Sequence, residues 1–161
     1  MIKKKHLILF SFIIIFGILL DQIVKRLAVI YLKPIGTYPI IENVFHLTYK
    51  ENRGAAFSIL EGARGFLIAL PIILSLVILF LVFTGRVRSL PGCYALIIVV
   101  AGGIGNVIDR IANGFVVDMF DFCLINFAIF NIADIFVTCG GIVFAFIYLF
   151  SKGEMFKWKL K

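Results

Sequence analysis

Charged residues and histidines are scarce in this sequence. Of its 161 residues, 16% are charged and 62% are hydrophobic, and the mean hydropathy is +1.10. Soluble domains are closer to one quarter charged and one half apolar. Because so few polar groups could not cover a water-facing surface, the composition predicts an integral membrane protein, with residues 1–161 forming a single membrane domain.

The shortage of histidine and cysteine also excludes several kinds of catalytic site. The two histidines, His6 and His46, form no His-Glu-x-x-His zinc motif. Neither a Gly-x-Ser-x-Gly nucleophile elbow nor a phosphate-binding glycine loop is present. The three cysteines have no metal-ligand spacing and are expected to be small buried side chains: Cys93, Cys123 and Cys139. We therefore expect no metal and no cofactor, which leaves carboxylates as the reactive groups.

Four long apolar runs predict an all-α membrane protein, a bundle of four transmembrane helices. They cover approximately residues 6–24, 66–83, 90–108 and 128–150, and a membrane span needs about 20 mainly apolar residues. Lys and Arg cluster before the first run, between the second and third, and after the last. Such clusters mark cytoplasmic segments. The positions of the basic residues that give the net charge of +7 therefore predict that both termini are cytoplasmic. Since the charge is explained in this way, no nucleic-acid partner is expected.

Residues 33–64 are expected to form an exterior segment with a small β-sheet on the outer membrane surface. Phe45 to Lys50 alternates apolar and polar side chains, which is the periodicity of a half-buried strand. Glu51 to Gly54 reads as a turn. The small residues from Gly54 to Ala56 would allow close backbone approach by a ligand or a helix.

Asp134 is the most unusual residue, because it is the one charged residue in the last apolar run. An ionised side chain at mid-membrane depth costs at least about 2.5 kcal/mol, so its default explanation is functional. Asn131 precedes it by one helical turn and shares its face. If the helix begins near Ala128, Asp134 lies about 9 Å along it.

Further polar residues fall near the predicted outer ends of the helices. Asp21 is expected to pair with Lys25 one turn later, and it could equally be structural or line a site. Asp109 is expected to form a salt bridge with the adjacent Arg110. Two carboxylates can hydrolyse a peptide bond without metal, one ionised to activate water and the other protonated to donate. Asp118 and Asp121 both have aromatic neighbours and are both possible mates for Asp134. Physical reasoning favours Asp118 only slightly.

Five motifs in this order resemble those of bacterial lipoprotein signal peptidases. They are Asp21-Gln22-x-x-Lys25, Asn52-x-Gly54-Ala55-Ala56-Phe57-Ser58, Gly105-Asn106-x-x-Asp109-Arg110, Val116-Val117-Asp118 and Phe130-Asn131-x-Ala133-Asp134. The resemblance implies an aspartyl endopeptidase of the bacterial cytoplasmic membrane, with its active site near the outer face. Its substrates would be prolipoproteins, cleaved immediately before a cysteine that carries diacylglycerol, and its other partners would be membrane lipids.

The same resemblance implies roles for individual residues. Asp118 and Asp134 match the catalytic dyad. The remaining matched positions hold substrate, support the dyad or stabilise the fold: Asp21, Asn52, Gly54, Asn106, Arg110 and Asn131. The family also has a four-helix bundle with a small exterior sheet.

The alternative function is a small proton-coupled transporter or channel subunit that uses Asp134 and Asp109. Such a protein needs polar residues through the full depth of its spans. The inner halves of the predicted spans are uniformly apolar, which favours the peptidase.

Overall fold

A computed structural model describes residues 4–55 and 59–151 of the chain. Three parts of the sequence named above lie outside these ranges. They are the first three residues, the short stretch 56–58 that follows Ala55, and the basic tail 152–161 whose expected position is cytoplasmic.

Within these described ranges, four helices are each long and apolar enough to cross a membrane. They are α1 (Lys4–Leu27, continued by a π-helical stretch Ala28–Leu32), α2 (Arg64–Phe83), α3 (Leu90–Ala112) and α4 (Ile132–Phe150). Together with a small antiparallel sheet, they confirm the predicted fold class. Helices α1 and α3 extend several residues beyond the predicted spans, because their polar ends at Lys25 and Arg110 are buried in the protein and need not reach water.

Helix α3 is the centre of the bundle. In an 18-residue window of this helix 61% of residues are buried, against 17% or less in each of the other three. Its glycines allow the close packing. A Cβ atom on Gly102 would collide with the carbonyl oxygen of Ala133 in α4, and one on Gly105 would lie 2.7 Å from the Asp21 carboxylate in α1. Small residues therefore bring α1 and α4 against α3 at the same level.

In the part of the chain that the structure describes, the sheet contains three antiparallel strands in the order β1 (Thr37–Ile41), β2 (Phe45–Asn52) and β3 (Val116–Asp121). Strand β2 confirms the prediction from alternation. Strand β3 was not predicted, since its residues were interpreted as a connection between spans. It follows α3 after a turn at Gly114, whose φ of +83° is in the left-handed region that glycine adopts without strain. The end of the bundle next to this sheet is called the sheet end below.

Helix α4 begins at Ile132, later than the predicted start at Ala128. The backbone of Phe130 is instead bonded to β3, with its N–H donating to the Phe120 carbonyl (3.1 Å) and its carbonyl accepting from the Met119 N–H (3.0 Å). Asn131 then caps the helix. As a result Asp134 lies in the first turn of α4, and the expected depth of about 9 Å is wrong.

Candidate active site

Asp118 and Asp134 line one cavity at the sheet end. The cavity has a volume of about 430 Å³ and is also lined by apolar side chains, among them Phe127, Ile135 and Val137. Asp118 comes from the middle of β3 and is only 1% exposed. The chain thus brings together two carboxylates from different elements in a largely apolar environment.

Asn131 joins the two carboxylates. Its Nδ2 donates to Asp118 Oδ1 at 2.6 Å, while its backbone N–H donates to Asp134 Oδ2 at 3.1 Å. Its own Oδ1 accepts from the Asp134 N–H at 2.9 Å, which completes a capping box at the start of α4. The same hydrogen bonds that begin the helix therefore fix Asp134 relative to Asp118.

Asn106 of α3 holds Asp134 from the other side. Its Nδ2 donates to Asp134 Oδ1 at 2.8 Å. Its Oδ1 accepts from Asn131 Nδ2 (3.1 Å) and from Lys25 Nζ (2.9 Å). The Lys25 ammonium group can only donate hydrogen bonds, so the Asn106 amide must turn its oxygen toward Lys25. Its NH₂ group then points to Asp134.

Lys25 is a site residue that was considered in the sequence only as an ion-pair partner of Asp21. It pairs with Asp21 at 2.9 Å, as predicted, and also with Asp109 at 3.0 Å. The expected Asp109–Arg110 pair is wrong, because successive helical residues point about 100° apart. The Lys25–Asp109 pair joins α1 to α3, and the sequence does not show which residues of two helices face each other.

Asp21 has a structural position next to the site. Its side chain is fully buried, and its Oδ1 accepts from the Ala133 N–H at 2.9 Å. The carboxylate therefore ties α1 to the unpaired N–H groups at the start of α4, which attract negative charge.

Asn52, Gly54 and Arg110 form a second chain of contacts that ends at Asp118. Asn52 Nδ2 donates to Asp118 Oδ2 (2.9 Å), and its Oδ1 accepts from the Gly54 N–H (3.0 Å). Arg110 donates from Nη2 to the Gly54 carbonyl (2.8 Å). Arg110 also lines the cavity, and its buried Nε has no hydrogen-bond partner among the described residues. An unpaired buried donor at a cavity wall is available to a ligand.

Asp121 lies apart from this arrangement. It is only partly buried, and its Oδ2 accepts from the Thr48 hydroxyl at 3.0 Å. It does not line the cavity that contains Asp118 and Asp134. The sequence pattern favoured Asp118 over Asp121 only slightly as the partner of Asp134. In the structure Asp118 lines the same cavity as Asp134, and Asp121 does not.

The Asp118 carboxyl is held toward its protonated form. Burial raises its pKa to about 7, and the nearby charge of Asp134 acts in the same direction. The amide donors of Asn52 and Asn131 oppose this shift without cancelling it. A carboxyl with a pKa near neutrality can act as a proton donor at physiological pH.

The cysteines lie in different environments. Cys93 is buried, as expected, whereas Cys123 is partly exposed and Cys139 is exposed on α4, so the expectation is wrong for Cys139. Within residues 4–55 and 59–151, no group of three or more His, Cys, Asp or Glu side chains is arranged to hold a metal ion.

Residues 13–150 match the family model described as "Signal peptidase (SPase) II". The chain belongs to the signal peptidase II family. Among its relatives, a lipoprotein signal peptidase of Caldanaerobacter subterraneus subsp. tengcongensis is 42% identical over 88% of this chain and 96% of its own. One of Clostridioides difficile is also 42% identical, over 91% of this chain and 98% of its own. The resemblance found in the five motifs is thereby confirmed along nearly the whole chain.

Two solved structures have a similar fold. One, described as a bacterial membrane enzyme, superposes with a TM-score of 0.82 at 30% identity and covers 94% of each chain. Another with the same description has a TM-score of 0.76 at 32% identity, over 88% of this chain and 92% of its own. The arrangement of helices and sheet is thus shared with bacterial membrane enzymes of known structure.

Proposed function

We propose that this protein removes signal peptides from diacylglyceryl-modified prolipoproteins and that it is an aspartyl peptidase. Membership of the signal peptidase II family supports the substrate class. The observation that carries the catalytic assignment is that Asp118 and Asp134 line one largely apolar cavity and are joined by Asn131. Two such carboxylates share a proton, because like charges so close do not both ionise readily.

The environments of the two acids support different roles. Asp134 accepts N–H bonds in the first turn of α4, where the helix dipole favours a carboxylate. It is the base that takes a proton from the attacking water. Asp118, with its raised pKa, holds the shared proton. Asp118 donates it toward the carbonyl oxygen and, as the C–N bond breaks, the leaving amine nitrogen receives a proton from the dyad.

The remaining site residues are suited to hold substrate. Arg110 Nε has no hydrogen-bond partner among the described residues and could bind a substrate carbonyl at the cavity wall. The apolar side chains of the same cavity would take acyl chains of the lipid, each buried CH₂ contributing about 0.8 kcal/mol. The turn at Asn52 and Gly54 contacts both of these cavity residues, since Asn52 donates to Asp118 and the Gly54 carbonyl accepts from Arg110.

The charge distribution supports an orientation in the bacterial cytoplasmic membrane. Arg86 and Arg88 connect α2 to α3 at the end of the bundle opposite the sheet. Since Lys and Arg are enriched in cytoplasmic connections, the sheet end and its cavity face the outer side and both termini are cytoplasmic. The substrate would reach the cavity from the outer leaflet.

The transporter alternative receives less support. Asp109, which would carry protons in that scheme, is 3% exposed and paired with Lys25. The acidic residues of α1, α3 and α4 (Asp21, Asp109 and Asp134) lie together at the sheet end instead of forming a path along the spans. The family match points the same way.

The decisive experiment compares dyad variants on a defined precursor. Purified Asp118→Asn and Asp134→Asn enzymes, reconstituted in lipid, are incubated with a diacylglyceryl-modified precursor peptide and with its unmodified form. We expect the cleavage rate of each variant to fall by about a thousandfold or more, because each substitution removes either the general acid or the general base of the dyad.

The matched control is Glu42→Gln, an acid-to-amide change at an exposed turn between β1 and β2. It should cleave at the wild-type rate, and the wild type should prefer the modified precursor. Folding of all variants is checked by thermal unfolding. A folded Asp134→Asn enzyme with near wild-type turnover would rule out the proposed dyad.

A further inference from the structure

A second cavity also has Asp118 in its wall. Its volume is about 450 Å³, and it shares with the first cavity the side chains of Asn52 and Asp118 and the extended wall 127–129. Asp118 therefore stands at the junction of two spaces. The dyad arrangement described above uses only the first of them.

The two cavities differ in chemistry. The first is lined by residues of α3 and α4 and by apolar side chains such as Ile135. None of the described residues that line the second cavity belongs to a membrane-spanning helix. The residues that line only this cavity include Lys50, Asp121 and Asn126. The first cavity suits a lipid or an apolar segment, and the second suits a hydrated polypeptide.

We propose that the second cavity binds the polypeptide that follows the lipid-bearing cysteine of the substrate. This inference rests on the proposed function. The cleaved bond has an apolar signal peptide on one side and a polar chain on the other, so the two sides need surroundings of opposite polarity. Because Asp118 lines both cavities, the chain segments on the two sides of a peptide bond held at Asp118 can each occupy one of them.

The strand register gives an order to the charged side chains. Lys50 is paired opposite Asp118, whereas Asp121 lies three residues further along β3, about 10 Å at 3.3 Å per residue. An extended substrate chain that leaves the dyad through this cavity meets Lys50 first and Asp121 later. The first residue after the cysteine is therefore selected for negative charge, and the third for positive charge.

The test uses modified precursors that differ only in charge. One set carries Asp or Lys at the first position after the cysteine, and the other carries them at the third. For each set, the ratio of kcat/KM for the Asp form to the Lys form is measured. Because both forms meet the same dyad, any effect of a variant on the dyad itself cancels in this ratio.

Wild-type enzyme is expected to favour Asp at the first position and Lys at the third, each by about two- to fivefold, as for partly exposed ion pairs. Lys50→Gln should bring the first ratio to one and leave the third unchanged. Asp121→Asn, which keeps an oxygen for the Thr48 hydroxyl, should do the reverse. The controls Lys33→Gln and Glu42→Gln change exposed charges that do not line either cavity.

Each outcome decides between the claims. If the wild type cleaves all precursors with ratios of one, or if Lys50→Gln and Asp121→Asn leave the ratios as they were, the second cavity is not the binding site. Ratios that move equally in the controls also overturn the inference, since they show only a long-range effect of charge. Failure of the wild type to cleave any modified precursor refutes the proposed function instead.

Discussion

At the scale of residues, the site depends on amide side chains whose orientation is fixed. Asn131, Asn106 and Asn52 each donate from Nδ2 to a carboxylate of the proposed dyad. Each also has its Oδ1 satisfied by a donor that can act only as a donor. An amide flip would break two bonds at once in every case. The carboxylates are therefore held in place before any substrate arrives.

The raised pKa of Asp118 leads to a prediction about pH. If Asp118 donates the proton, the active form exists below its pKa and is lost as the pH rises through about 7. A profile of log kcat/KM against pH, which reports the free enzyme, should fall on its alkaline side near that value and on its acid side as Asp134 becomes protonated. The two values belong to the dyad as a pair.

The comparison that isolates the dyad is Glu42→Gln, whose profile should superimpose on that of the wild type. Denaturation is excluded as the cause of the fall by returning samples from pH 9 to the optimum and recovering the rate. A rate that keeps rising above neutral pH would show that no protonated group is needed.

At the scale of elements, the contact of α3 with α4 places Asn106 beside Asp134. This contact depends on Gly102, where a Cβ would meet the backbone of Ala133, so that one helix would have to move. Gly103 is the next residue of the same helix, yet its Cβ would meet only ordinary contacts at 3.6 Å and beyond. One helix thus offers a critical glycine and a tolerant one side by side.

We expect Gly102→Ala to destabilise the protein by about 1–3 kcal/mol, the usual cost of overpacking. Its catalytic rate should fall by more than its stability alone explains, since Asn106 and Asp134 are displaced relative to each other. Gly103→Ala should keep wild-type activity and an equal or higher Tm, because alanine is the better helix former. Thermal unfolding in detergent and kcat on modified precursor measure both. Equal effects of the two substitutions would contradict this account of the contact.

At the scale of the whole molecule, the buried charged groups of the described residues are concentrated at one end. The sheet, the buried ion pairs of Lys25 and the two cavities lie at the sheet end. The helix surfaces carry exposed apolar side chains such as Leu149 and Phe150 (74% and 70% exposed), which suits contact with lipid. In a protein with this arrangement, the candidate active site lies near one surface of the membrane.

The proposed orientation predicts which positions react with a membrane-impermeant thiol reagent. In a background with the native cysteines replaced, Glu42→Cys in the β1–β2 turn should be labelled in right-side-out vesicles. Arg88→Cys, in the connection between α2 and α3, should be labelled only after the membrane is permeabilised. The reverse pattern would place the sheet end in the cytoplasm and overturn the orientation.

How far the sequence predicted the molecule differs between its parts. The strand at Phe45 and the ion pair of Lys25 with Asp21 follow from local spacing, and both are confirmed. The start of α4 was wrong, because Ala128 to Phe130 is as apolar as a span and periodicity does not separate an extended segment from a helix end. The bond of Phe130 to β3 decided it.

The sequence by itself determined the membrane class, the four helices and the family, because hydropathy over some 20 residues and ordered motifs are local properties of the chain. Only the tertiary structure decided the arrangement of the acids. Asp118 of strand β3 lines the same cavity as Asp134, Asp121 accepts a hydrogen bond from Thr48, and Asp109 pairs with Lys25. Such partners are far apart in sequence, and the side to which each carboxylate points depends on strand register and helix packing.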